Sequence, residues 1–252
     1  MIKLGVVPYL NPLPLYFSLR HRPDIEIVAD FPANLGARLM AGEFDAALLP
    51  VADHIRGIGD GILGDGIVGA TGQVRSVMLF SNVPIEEITS VALDTSSHTS
   101  VNLIRVILRD FYGLSPTYTP HPPELNEMLR AADAAVLIGD PALEAAQNPG
   151  NAFVYDMANE WQKGTGLPFV FAGWIAGPRL QNREELEVVL NSARDEGEKL
   201  IREIVAENPI GTSLPDDVVT SYLTDTIQYH LTPAHRAGLE EFARRLRSFK
   251  NL

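Results

Sequence analysis

Apolar and polar residues follow two rhythms along this chain. Short apolar runs of buried-strand length fall at residues 2–7, 25–29, 45–49, 67–70 and 75–80, and again at 91–93, 117–119, 134–138, 153–155 and 168–175. Segments with helical spacing separate them, at 12–19, 34–41, 99–112, 124–130, 142–146 and 158–163. Beyond residue 182 the pattern is helical: a long amphipathic stretch at 184–207, then 215–223 and 233–249, each of these two with a proline in or near its first turn. The glycine-rich stretch 57–72 reads as turns around the strand at 67–70.

Alternating strands and helices predict an α/β fold with a mostly parallel sheet. A polar, proline-bearing stretch at 82–87 separates two such blocks, and the apolar strand at 168–175 leads back to the first. The expected organisation is a discontinuous lobe of residues 1–85 and 168–252, a second lobe of residues 86–167, crossings near 82–90 and 164–170, and a central cleft.

Ligands of such sheets sit beyond the carboxyl ends of the strands. The most informative segment there follows Leu93, where Thr95, Ser96, Ser97, Thr99 and Ser100 crowd in front of a helix whose apolar face is Val101, Ile104, Leu108 and Phe111. One cap residue satisfies one or two of a helix's orphan N–H groups. The surplus hydroxyls, together with the positive end of the helix dipole, suit a carboxylate or a phosphate.

The loops at 8–14, 50–54 and 139–140 face the same cleft. In residues 8–14, Tyr9 and Asn11 sit on a loop stiffened by prolines; Asn11 either caps the next helix or orients a substrate through its amide. Ser76 either bonds to backbone or points into the cleft, and Arg75 beside it either supplies a cationic partner there or, as most arginines do, sits as a solvated surface cation. Asp140 precedes Pro141 and has the position of an N-cap, with an acid or base at the strand end as the other reading, while Gly139 permits close backbone approach to a ligand.

Composition narrows the chemistry. The 252 residues suffice for one or two domains with a large core. A net charge of −12 without any basic cluster argues against nucleic acid and against an anionic membrane surface. It also means that an anion needs a local device such as the hydroxyl loop. The absence of cysteine excludes disulfides, thiolate catalysis and zinc–thiolate sites. The six histidines, at 21, 54, 98, 121, 230 and 235, show no metal-ligand spacing, and no His–carboxylate pair announces itself. Nucleotide-binding glycine motifs and the GxSxG elbow are absent, so neither metal nor cofactor is expected. No segment has transmembrane length and the N-terminus lacks a leader pattern, so the expected location is cytoplasmic.

Several of these segments together resemble one family. Pro8-Tyr9-Leu10-Asn11-Pro12-Leu13-Pro14-Leu15 is similar to its N-terminal signature, and Gly42-Glu43-Phe44-Asp45-Ala46-Ala47-Leu48-Leu49-Pro50 to its GExDxxLxP segment. Arg75-Ser76-Val77, then Asp94 with Ser97, Thr99 and Ser100, then Leu137-Ile138-Gly139-Asp140-Pro141-Ala142-Leu143 follow in order. Glu160-Trp161 and Gly166-Leu167-Pro168-Phe169-Val170-Phe171-Ala172 complete the pattern. Up to about residue 175 the chain thus resembles the chorismate dehydratases of the futalosine route to menaquinone; the helical tail matches only in character. It departs from the family at residues 31–34, Phe31-Pro32-Ala33-Asn34, where a proline–serine pair is common.

The resemblance implies a type II periplasmic-binding-protein-like fold, with two α/β lobes around a cleft. It implies conversion of chorismate, a small dicarboxylate, to 3-[(1-carboxyvinyl)oxy]benzoate with loss of water, without a cofactor. Asn11 and Ser76 are the catalytic candidates. Tyr9, Ser97, Thr99, Ser100, Gly139 and Asp140 are the substrate-binding candidates. The proton acceptor stays open between the substrate's enolpyruvyl carboxylate and Asp140, His54 or His98. The competing readings are a non-catalytic solute-binding protein, a ligand-sensing domain, and the sister enzyme that forms 1,4-dihydroxy-6-naphthoate. Oligomeric state stays open.

Overall fold

Two mixed sheets divide the chain in the computed structural model, which describes residues 1–94 and 98–249. The first lobe opens with β1 (Ile2–Val6), α1 (Leu13–Tyr16), β2 (Ile25–Ala29), α2 (Pro32–Met40), β3 (Ala46–Pro50), α3 (Val51–Ile55) and β4 (Ile62–Ala70). The second contains β5 (Val77–Ser81), β6 (Ser90–Asp94), α4 (His98–Tyr112), β7 (Thr117–His121), α5 (Leu125–Ala131), β8 (Ala134–Ile138), α6 (Gly139–Gln147), β9 (Phe153–Asp156) and α7 (Met157–Thr165). β10 (Phe169–Ala176) then rejoins the first sheet, and α8 (Arg183–Lys199), α9 (Ile201–Glu207), α10 (Asp216–Ser221), β11 (Gln228–His230) and α11 (Pro233–Arg247) follow.

The first sheet has the order β11-β4-β10-β3-β1-β2 and the second β7-β6-β8-β5-β9. Neither is mostly parallel. β1 runs parallel to β2 and β3, and β6 parallel to β7 and β8, but β10 is antiparallel to β3 and β4, and β5 to β8 and β9. The physical reason is the crossing itself. Strands linked within a lobe by a helix run parallel, whereas a strand that enters from the other lobe carries no such crossover and arrives in the opposite sense.

Strand pairing also moves the first crossing. The strand at 75–80, grouped by sequence with the first lobe, is β5 and lies inside the second sheet, so the chain crosses before Val77 rather than near 82–90. β4 spans nine residues, although its glycines read as turn punctuation. Pairing with β10 on one side and β11 on the other satisfies its backbone and overrides local preference. The long helical pattern at 184–207 is broken at Leu200, where φ −95° and ψ 12° end α8. Near that break a Cβ on Gly197 would stand 1.8 Å from the Pro14 carbonyl oxygen, so only glycine lets α8 lie directly on α1. That contact backs the loop carrying Asn11.

Both crossings are pinned. At the return crossing the buried indole of Trp161 meets Phe169 and Phe242 edge-on, with ring centroids 5.3 and 6.0 Å away, which ties α7, β10 and α11 together. At the outgoing crossing one Asp156 carboxylate oxygen accepts the N–H groups of Val74 (2.9 Å) and Arg75 (2.7 Å). Its other oxygen caps α7 through Ala158 and Asn159. Arg75 takes a left-handed φ of 62°, a conformation that a non-glycine residue holds only when its surroundings over-determine it.

Candidate active site

Between the lobes, the ends of β1, β3 and β8 and the start of β5 meet the first turn of α4. They enclose a cavity of about 580 Å³, its open mouth included. Val7, Leu48, Val68 and Phe171 give it apolar walls, and its side-chain polar groups are those of Tyr9, Asn11, Ser76 and Ser100. Among the described residues no Asp, Glu, His, Lys or Arg lines it.

The candidate residues separate into those on this wall and those beside it. Asn11 is not a helix cap: Pro12 occupies that position of α1 and no side chain caps it. Its side chain instead lines the cavity beside the Tyr222 phenol. The Ser76 hydroxyl, fully buried, accepts the Tyr222 O–H at 2.7 Å. Ser100, also buried, lies in the first turn of α4, at the positive end of that helix's dipole. Gly139 sits at a left-handed φ of 63°, and a Cβ there would come within 3.1 Å of the Tyr9 ring, so Tyr9 and the strand end share one wall only because residue 139 is glycine. The Gly139 N–H is held by the Ser76 carbonyl at 2.8 Å.

Thr99 and Asp140 lie off the wall. The Thr99 hydroxyl is fully buried and accepts the Ala52 N–H at 3.1 Å, tying α4 to α3. Asp140 does not cap α6, whose cap position is Ile138. Its carboxylate accepts the Leu10 N–H at 3.4 Å across the cleft. Burial pushes the Asp140 pKa up to about 6, opposed by that N–H and assisted by the charge of Glu144. Ser97, with Thr95 and Ser96, lies outside the described residues.

The histidines correct one expectation. His98 Nδ1 stands 2.7 Å from the Asp53 carboxylate, a His–carboxylate pair assembled from residues 45 positions apart and therefore invisible to local spacing. The Asp53 bond raises the His98 pKa, against burial and the nearby Arg56. His54 Nδ1 faces the Ile58 carbonyl at 3.3 Å. Neither ring lines the cavity. Arg75, read as a solvated cation, is half-buried and donates to Ser221 Oγ at 3.1 Å. Tertiary structure also brings His230 to Asp195 and Glu198, neighbours on α8, at the surface; His230 Nε2 lies 2.8 Å from Glu198, and Asp195 is already bonded by Arg194. Tyr222 escaped sequence reasoning altogether, because a lone tyrosine in an amphipathic tail carries no motif.

The profile of the menaquinone biosynthesis family matches residues 2–248. The chain belongs to this family. It is 31% identical to the chorismate dehydratase of Thermus thermophilus over 96% of this chain and 94% of that one. It is 24% identical to the chorismate dehydratase of Campylobacter jejuni over 95% of both. Family membership therefore includes the helical tail, which sequence motifs matched only in character. The fold is that of periplasmic binding proteins: the aliphatic sulphonate-binding protein SsuA of Escherichia coli superposes with a TM-score of 0.67 at 18% identity, covering 96% of this chain and 90% of that one. The family thus places an enzyme of dehydratase type on a receptor-like scaffold, and no helix among the described residues is long and apolar enough to cross a membrane.

Proposed function

We propose that this protein is a cofactor-independent hydro-lyase that converts chorismate to 3-[(1-carboxyvinyl)oxy]benzoate and water. The observation that carries the reading is the interlobe cavity whose side-chain polar groups are the neutral Tyr9, Asn11, Ser76 and Ser100, in a chain so similar to chorismate dehydratases.

Chorismate carries two carboxylates, an enolpyruvyl ether and a ring hydroxyl on the neighbouring carbon. Loss of the proton beside the ether and of that hydroxyl makes the ring aromatic. Aromatisation supplies the driving force, so the enzyme has mainly to position and polarise. Ser100 and the first-turn N–H groups of α4 receive one carboxylate. Ser76 and Asn11 orient the departing hydroxyl and the enolpyruvyl arm, and Tyr9 with Gly139 forms the wall beside the ring. Thr99 acts one step back, by holding α4 against α3.

The proton goes to the substrate's own enolpyruvyl carboxylate, which returns it to the departing hydroxyl so that water leaves. This choice rests on the wall chemistry: Asp140 turns to Leu10, His54 to Ile58 and His98 to Asp53, and none of the three reaches the cavity surface.

The test is to mix purified protein with chorismate and follow product by mass and ultraviolet spectrum. A new aromatic acid lighter by one water is expected. Chorismate bound tightly but recovered unchanged would make the protein a receptor. Asp140→Asn, His54→Ala and His98→Ala should each keep turning over. A folded variant among them that binds chorismate yet makes no product would identify that side chain as the base.

A further inference from the structure

We infer that Tyr222, contributed by the C-terminal tail, is a positioning residue that fixes the hydrogen-bond direction of Ser76; the inference rests on the activity proposed above. Tyr222 is 1% exposed and begins a single π turn, Tyr222–Thr226, between α10 and β11. Such turns are rare and recur at functional sites. Its phenol bonds to Ser76, one of the two polar groups assigned to orientation of the substrate's hydroxyl and arm, and lies beside the other, Asn11.

A phenol has one hydrogen to donate and lone pairs to accept with. The Tyr222 hydrogen goes to Ser76 Oγ, 2.7 Å away. Ser76, whose oxygen already accepts from Tyr222, keeps its own hydrogen for the cavity. The result is one donor of fixed identity, without any charge, beside the Asn11 amide. Burial drives the phenol pKa far up, so Tyr222 remains a donor across the working pH range.

The tail is anchored where this matters. Ser221 Oγ accepts from Arg75 Nη1 at 3.1 Å, so consecutive residues of the tail hold consecutive residues of the crossing segment. The backbone of that segment is already fixed by Asp156. Ser76 is thus gripped from the second lobe and from the tail together.

The experiment measures kcat and KM for chorismate on the whole chain carrying Tyr222→Phe, Ser76→Ala, both together, or Tyr229→Phe. Tyr229 is a second buried tail phenol whose oxygen has no hydrogen-bond partner among the described residues. Tyr222→Phe should lower kcat by about 30-fold and leave KM within about threefold, the pattern of an interaction used in the transition state. The double variant should lose less than the product of the two single losses. Tyr229→Phe should stay within about twofold of the unmutated protein. A Tyr222→Phe kcat within about twofold of the unmutated protein, full multiplication of the losses, equal losses in the two phenol variants, or collapse of the Tyr222→Phe fold would each overturn the positioning role alone. Absence of chorismate turnover in the unmutated protein would overturn the proposed activity as well.

Discussion

The α3–α4 seam and the cavity lie next to each other, and their chemistry is opposite. The seam holds the titratable groups: His98 against Asp53 at 2.7 Å, with Arg56 bonded to Asn102 at 3.1 Å. The cavity holds neutral hydroxyls and an amide. Charge is used here to dock one lobe on the other, and neutral dipoles line the cavity. For a dianionic substrate the division has a physical logic. A carboxylate on the wall would repel it. A cation would hold the bound substrate and the transition state alike, which lowers KM without raising kcat. Fixed neutral donors avoid both outcomes and need no reorganisation during the reaction.

The comparison predicts large kinetic effects from the cavity and small ones from the seam. Asn11→Ala should lower kcat by about 100- to 1000-fold in steady-state product assays while the protein stays folded. A loss under about fivefold would remove the cavity from the chemistry. Asp140→Asn separates the two regions by pH. With its pKa raised from 3.8 to about 6, the folded protein keeps a proton that the unfolded chain releases across that window, so stability falls as pH rises through it. Above the window the cost is on the order of 2–3 kcal/mol. Thermal melts should therefore show the variant more stable than the unmutated protein near pH 7.5, and the two converging near pH 4.

Gly139→Ala should cost about 1–2 kcal/mol, from the left-handed backbone and from the approach to Tyr9, and should raise KM as that ring is pushed aside. Chemical denaturation measures the first effect and initial rates the second. The smallest effect belongs to the seam. His98→Ala should cost about 1 kcal/mol or less, because the partly exposed imidazole lets solvent screen its bond to the buried Asp53. Since Asp53 raises the His98 pKa, the pair's stabilisation is full below the imidazole's ordinary value and is lost as pH rises through the raised one. The difference in melting temperature should accordingly shrink between pH 6 and pH 8, with turnover within about threefold throughout.

Much of the cavity wall was legible before any coordinates. Asn11, Ser76, Ser100 and Gly139 all follow or precede strands, where short polar loops break apolar runs, and all four line the cavity. What misled was local preference. The spacing of Asp140 before Pro141 is that of a cap, yet its carboxylate crosses the cleft to Leu10. Thr99 belongs to the same hydroxyl cluster as Ser100, yet it faces Ala52, because adjacent positions on a helix point in different directions. The His98–Asp53 pair and the Tyr222–Ser76 bond join residues 45 and 146 positions apart, and no window along the chain contains both partners.

The chain by itself determined the alternation of strands and helices and the two-lobed plan, because periodicity and composition act over neighbouring residues. Tertiary structure decided the sense of β5 and β10, the length of β4, the pairing of the charged side chains and the place of Tyr222. Those features depend on which surfaces meet after the chain has crossed between lobes, and a buried polar group takes whatever partner the other surface brings within reach of it.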